Sequence, residues 1–236
     1  MLKGLPVDNL GYISISALIF PIWLYIYLKA KWLRLRMRNI GIYIGILAAI
    51  FEPFFMMDYW NPPSLFNINN FYFIEDFFFG FLSAGIAISI YNFIFSIKYV
   101  KIYKRRKNFS LILSLSIVIS FLLLNQVFEY NSVFAFCLST TSAILIIFII
   151  RKDLILPALY SSFFSIIIII SSYMIIFNIF LPSYWESYWK LVDTPYEQYI
   201  FGIPWTEYLY YLSMQSYLSV IYDFASGTAK IKITRD

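Results

Sequence analysis

The chain has 236 residues, 61% of them hydrophobic, 22% aromatic and only 13% charged, with a mean hydropathy of +0.73 and a formal charge of +5. A soluble domain carries about 25% charged residues, so this composition excludes an ordinary water-soluble globule and points to a membrane protein. Apolar runs long enough for the about 20 residues a spanning helix needs fall at 10–28, 40–57, 72–97, 110–124, 133–150, 156–180 and 199–224. The fourth is the shortest. Lipid satisfies no backbone amide, so spans are helices or closed barrels. Barrel strands alternate polar and apolar residues, whereas these runs are continuously apolar. The expected fold is all-α, a polytopic bundle of about seven transmembrane helices. The first run is not a cleavable signal, since its basic residues follow it and no small-residue cleavage site appears.

Charge predicts the orientation. Lys29, Lys31, Arg34, Arg36 and Arg38 follow the first span, and Lys98, Lys101, Lys104, Arg105, Arg106 and Lys107 follow the third. Arg151 and Lys152 follow the fifth, and Lys230, Lys232 and Arg235 the seventh. Only Lys3 and Lys190 fall on the other face, sixteen against two. The positive-inside rule then predicts a multi-pass protein of the cell membrane with its N-terminus outside and its C-terminus cytoplasmic. The basic run at 104–107 reads as a topogenic loop facing anionic lipid, and no nucleic-acid partner is expected.

Histidine is absent, which argues against di-iron, zinc and haem chemistry built on imidazole. No metal site is expected. The single cysteine, Cys137, reads as a small buried hydrophobe. Neither a dinucleotide-binding nor a phosphate-binding glycine motif occurs, and no lysine in the last span could anchor retinal.

The chain contains an internal repeat. IEDFFFGFLSAGIAISIYNF from Ile74 aligns without a gap on WTEYLYYLSMQSYLSVIYDF from Trp205. Asp76 meets Glu207, Tyr91 meets Tyr222, and Asn92 meets Asp223. Tyr59-Trp60 corresponds to Tyr188-Trp189 once two loop residues are allowed. The organisation expected is a three-helix unit over 1–108, a connector helix over 109–132 and a second three-helix unit over 133–236. An odd connector makes the repeat parallel.

Acidic residues concentrate toward the outer ends of the spans. Glu52, Glu75, Asp76 and Glu207 lie in or near apolar segments, where an ionised carboxylate is costly. A neutral carboxyl in an apolar cavity is a proton donor, and paired carboxyls divide into acid and base. Asp76, Phe79, Gly80, Ser83, Ala87 and Tyr91 share one helical stripe. Glu207, Tyr210, Tyr211, Met214, Leu218 and Tyr222 share the matching one. Glu75 points about 100° away from Asp76. The competing reading is that these acids cap the N-termini of inward-running helices. Tyr59, Trp60, Tyr184, Trp185, Tyr188 and Trp189 read as an interfacial aromatic belt.

The repeated element resembles the Pro-x-Glu-Glu-x-x-Phe motif of the lycopene cyclase domain, found in membrane-integral, flavin-independent carotenoid cyclases built from two three-helix units. The first copy reads Phe73-Ile74-Glu75-Asp76-Phe77-Phe78-Phe79 and the second Pro204-Trp205-Thr206-Glu207-Tyr208-Leu209-Tyr210. An aromatic loop, Asp58-Tyr59-Trp60-Asn61-Pro62-Pro63, precedes the first copy, and Tyr222-Asp223 matches the tyrosine-acid ending of the third helix. Phe73 replaces the first proline, Asp76 a glutamate and Thr206 a glutamate. The resemblance implies redox-neutral closure of a carotenoid end group, with no cofactor and a hydrophobic isoprenoid or carotenoid as substrate. It implies Glu75, Asp76 and Glu207, helped by Glu52, as the acid–base set, with Phe79, Ser83, Tyr91, Trp205, Tyr210, Tyr211 and Met214 against the substrate. The alternatives are a small-solute transporter of three-plus-one-plus-three plan and a relative that binds or modifies an isoprenoid without cyclising it.

Overall fold

A computed structural model describes residues 7–65 and 73–232. Lys3, Arg235 and the first residue of the third expected span lie outside them. Among the described residues, seven long helices run between two ends of a bundle: α1 (Gly11–Lys29), α2 (Arg34–Asp58), α3 (Phe73–Ile94), α4 (Lys107–Leu122), α5 (Ser132–Ile150), α6 (Ile155–Tyr173) and α8 (Trp205–Ser226). A one-turn helix, α7 (Tyr184–Tyr188), lies between the last two. Six of the long helices, α1 to α6 with their flanking turns, are long and apolar enough to cross a membrane. The protein is an all-α polytopic membrane protein.

The seventh long helix is different in kind. α8 carries Ser213, Gln215, Ser216, Ser219 and Asp223, all buried. It packs against α3, α4, α5 and α6, so its polar residues face protein and not lipid. It also starts later than the apolar run suggests. Residues 199–200 and 203–204 form a two-stranded hairpin, β2 and β3, around Gly202 at φ +73°. Pro204 then precedes the first turn. The fourth span is longer than expected, because α4 continues through a π-helical turn, Leu123–Val127. The third is shorter, because Ile97–Lys101 is a strand, β1, and not the end of a helix.

β1 pairs antiparallel with β4 (Thr228–Lys232) in the register Ile97 to Lys232, Tyr99 to Lys230 and Lys101 to Thr228. Tyr99 and Lys230 are separated by 131 residues, as are Asp76 and Glu207 (230 − 99 and 207 − 76). At the other end of the bundle Trp60 bridges Trp189 antiparallel, with Asn61 N donating to Tyr188 O at 3.0 Å and Lys190 N to Tyr59 O at 2.8 Å. Both backbone pairings therefore join segments that the sequence alignment makes equivalent.

Helix packing also runs in parallel in the two halves. α3 packs on α1 and α2, α8 packs on α5 and α6, and α3 and α8 meet in the middle. α2 and α3 approach closest. A Cβ on Gly45 would stand 2.7 Å from the Phe77 carbonyl, and one on Gly80 would stand 2.9 Å from the Ala48 Cβ. Small residues permit such approach where lipid supplies no hydrophobic drive to bury helices.

The basic end is locked by charge. Arg36 of α2 pairs with Asp223 of α8 at 2.7 Å, and its guanidinium lies 3.2 Å from the Tyr99 ring centroid and 4.3 Å from that of Tyr222. Thr228 adds a hydroxyl to Asp223 at 2.6 Å. Arg151 stacks on Tyr103 at 3.7 Å and donates to the Thr228 carbonyl at 3.0 Å. Paired and stacked guanidinium groups of this kind are favoured in low-dielectric surroundings.

Candidate active site

At the opposite end, α2, α3, α4, α5 and α8 enclose a cavity of about 190 Å³. From α2 come Tyr43, Leu47, Phe51, Glu52 and Phe55, a stripe along one face. α4 adds Ser114, Val118 and Phe121, while α8 adds Glu207, Tyr210, Tyr211 and Met214. Tyr12, Trp60 and Tyr173 close the blind end. There Phe121 packs on Phe51, Phe54 and Phe55, each ring pair at 5.8 Å, and seals α2 against α4. Nearer the basic end the lining reaches Tyr43, which is 52% exposed on the outer face of the bundle. A polar pair marks that mouth, where the Ser114 and Tyr217 hydroxyls lie 2.9 Å apart.

The four carboxyls expected in the site occupy different surroundings. Glu207 lines the cavity and accepts a hydrogen bond from the Tyr59 hydroxyl. That leaves the Thr206 hydroxyl as donor to the Tyr59 oxygen at 2.9 Å. The Tyr173 and Tyr211 hydroxyls, 2.5 Å apart, stand beside it. Glu52 lines the cavity from α2 and makes no hydrogen bond among the described residues. Asp76 is 1% exposed and faces the Tyr12 side chain, outside the cavity lining. Glu75 is turned away: it accepts from the Ser64 hydroxyl and from Leu65 N at 2.9 Å, and so ties down the loop before α3.

Phe79, Ser83, Tyr210, Tyr211 and Met214 all line the cavity. Tyr91 does not; it stacks on Tyr160 at 6.1 Å and on Phe95 at 5.0 Å. Trp205 sits at the hairpin, its indole donating to Tyr196 O at 3.0 Å. The matching position at the end of the second stripe, Tyr222, serves the Arg36 lock. The stripes face the cavity only over their first three turns.

The aromatic belt is a correction. Tyr59, Trp60, Tyr184, Trp185 and Trp189 are all buried. Trp60 stacks near Trp185 at 4.7 Å and near Tyr184 at 5.7 Å, and Phe177 stacks on Tyr184 at 4.4 Å. These rings plug the end of the bundle, because the loops 59–65 and 181–191 fold inward over the helix termini and do not lie at a lipid surface. Tyr12, Tyr59 and Tyr173 are the site residues that sequence reading missed. The Tyr59-Trp60 repeat was their one visible signal.

Fold and site together define a membrane protein with a carboxyl-bearing, aromatic-walled cavity buried among its helices. A family model, lycopene cyclase, matches residues 130–225. Over that stretch, which spans α5, α6 and most of α8 and includes Glu207, the chain is similar to the lycopene cyclase family. No curated protein and no solved structure matches it.

Proposed function

We propose that the protein is a redox-neutral cyclase for the end group of a linear, carotenoid-type isoprenoid. The observation that carries this reading is the grouping of Glu52, Asp76 and Glu207 around the blind, aromatic end of a cavity whose mouth reaches the lipid-facing surface. Cyclisation needs an acid, a base, a dry pocket and aromatic faces against a cation. The acid protonates the terminal double bond and leaves a tertiary cation. The neighbouring double bond attacks it and forms the ring C–C bond. A base then removes a proton and sets the position of the ring double bond. The rings of Tyr12, Phe55, Phe79 and Tyr210 supply the π faces.

The cavity volume bears on substrate length. Pockets that enclose a whole drug-sized ligand measure roughly 300–1,000 Å³, so this one holds one end of a long chain and leaves the rest in the bilayer. The two halves are read as parallel three-helix repeats about a two-fold axis along the helices, which the self-symmetric β1–β4 register and the Trp60–Trp189 bridge support. The basic end is read as cytoplasmic, so the carboxyl site lies toward the outer face.

The test is the carotenoid profile of a lycopene-accumulating host that expresses the chain. Cyclic products are expected. Lycopene left unchanged by protein that is folded and membrane-inserted would overturn the reading in favour of transport or of binding without turnover.

A further inference from the structure

The geometry points to Glu52, which lies outside the repeated motif, as the group that protonates the substrate, with Glu207 as the group that receives the proton after ring closure. This assignment rests on the cyclase reading and divides roles within it.

Three observations separate the carboxyls. Glu75 is committed to Ser64 and Leu65 and is absent from the cavity lining. Asp76 is nearly fully buried and lies behind Tyr12, outside that lining. Only Glu52 and Glu207 reach the cavity, and they reach it differently. Glu207 already accepts a hydrogen bond from Tyr59, which is itself backed by Thr206. A carboxyl receiving an O–H is arranged as an acceptor. Glu52 receives none among the described residues, and Asp76 and Glu207 both lie within its electrostatic reach. Crowding of three carboxyls in one low-dielectric site disfavours ionising all of them together. Of the two that reach the cavity, the one without a donor is the one to carry the proton.

Position agrees with this division. Glu52 stands nine residues along α2 from Tyr43 at the mouth, about 13 Å by helix rise. A chain end that slides in from the mouth along the α2 stripe reaches Glu52 beside Phe51 and Phe55. Glu207 stands beyond it with Tyr59, Tyr173 and Tyr211. The proton balance closes. Glu52 gives its proton to the terminal carbon–carbon double bond, the ring bond forms, and the ring cation loses a proton to the Glu207 carboxylate. Return of that proton from Glu207 to Glu52 resets the site, so the net change is isomerisation.

The experiment compares Glu52→Gln, Glu52→Asp and Glu207→Gln with wild type for total conversion per folded protein and for ring double-bond position. Glu52→Gln is expected to lose about 10²–10⁴-fold in rate with the double-bond position of its residual product unchanged. Glu207→Gln is expected to shift that position or to yield a water-quenched alcohol, since it touches the step that removes the proton. If Glu52→Gln does not accumulate, Glu52→Asp carries the test, with a lower rate and an unchanged double bond expected. Wild-type rates in the folded Glu52 variants, or an altered double-bond position in their products, would overturn the assignment. A wild type that converts nothing sinks the cyclase reading itself, and the roles with it.

Discussion

The side chains of the motif divide into chemistry and scaffold in a way their spacing alone did not reveal. Glu75 is the first acid of the first motif copy, yet its carboxylate binds the preceding loop through Ser64 and Leu65. Its counterpart Thr206 is fully buried and backs the Tyr59–Glu207 hydrogen bond. We expect Glu75→Gln to keep turnover per folded protein within a few-fold of wild type. The amide still accepts one hydrogen bond, so the variant should lose roughly 1 kcal/mol of stability. Thermal melting in detergent and product assay on the same preparation check both halves. A hundred-fold drop in turnover with an unchanged melt would return Glu75 to the catalytic set. The rest of the residue picture was partly legible. The stripe from Glu207 to Leu218 was drawn from i, i+3, i+4 spacing and lies along the cavity. Tyr12 and Tyr173 carried no signal, because each approaches from a helix whose face only packing determines.

Helix identity came from apolar runs, but helix ends came from local chemistry. α5 starts where the Asn131 side chain accepts from Val133 N at 3.1 Å. α8 stops at Gly227, whose φ of +71° and approach of a virtual Cβ to 2.2 Å from the Tyr103 carbonyl admit no side chain. The hairpin before α8 and the strands after α3 and α8 were invisible to hydropathy, since Tyr199, Ile200, Ile97 and Val100 are as apolar as a helix. The closeness of α2 to α3 carries a prediction of its own. Gly45→Ala forces a methyl against the Phe77 backbone carbonyl, an atom that cannot turn aside. The expected cost is about 1–3 kcal/mol, as for other overpacked cores, read as a lower melting temperature. Because α2 carries Glu52, the same variant is expected to slow turnover. A variant as stable and active as wild type would show that the two helices are looser than this spacing requires.

At the scale of the whole molecule, the helices alternate between an aromatic end and a basic end. Arg36, Asp223, Arg151 and the β1–β4 pair gather at one, and Trp60, Trp185, Trp189 and the carboxyls gather at the other. Reporter fusions after residues 36, 104 and 152 should report the cytoplasm, and fusions near 62, 130 and 190 the outside. A cytoplasmic signal at 190 would break the seven-crossing arrangement. It would also leave α8, which is not among the helices apolar enough to cross a membrane by composition, without a route through the bilayer.

What the sequence determined by itself is the part set by long uninterrupted composition. It specified a helical membrane protein, the number of long helices and the concentration of basic residues at one end, because each is a one-dimensional property of the chain. Only the tertiary structure decided which of the four expected carboxyls share a cavity, that Glu75 is spent on a loop, and that the tryptophans plug the bundle. Those outcomes depend on the angle at which one helix face meets another. That angle is set by contacts such as Gly45 on Phe77 and Arg36 on Asp223, between residues far apart in the chain.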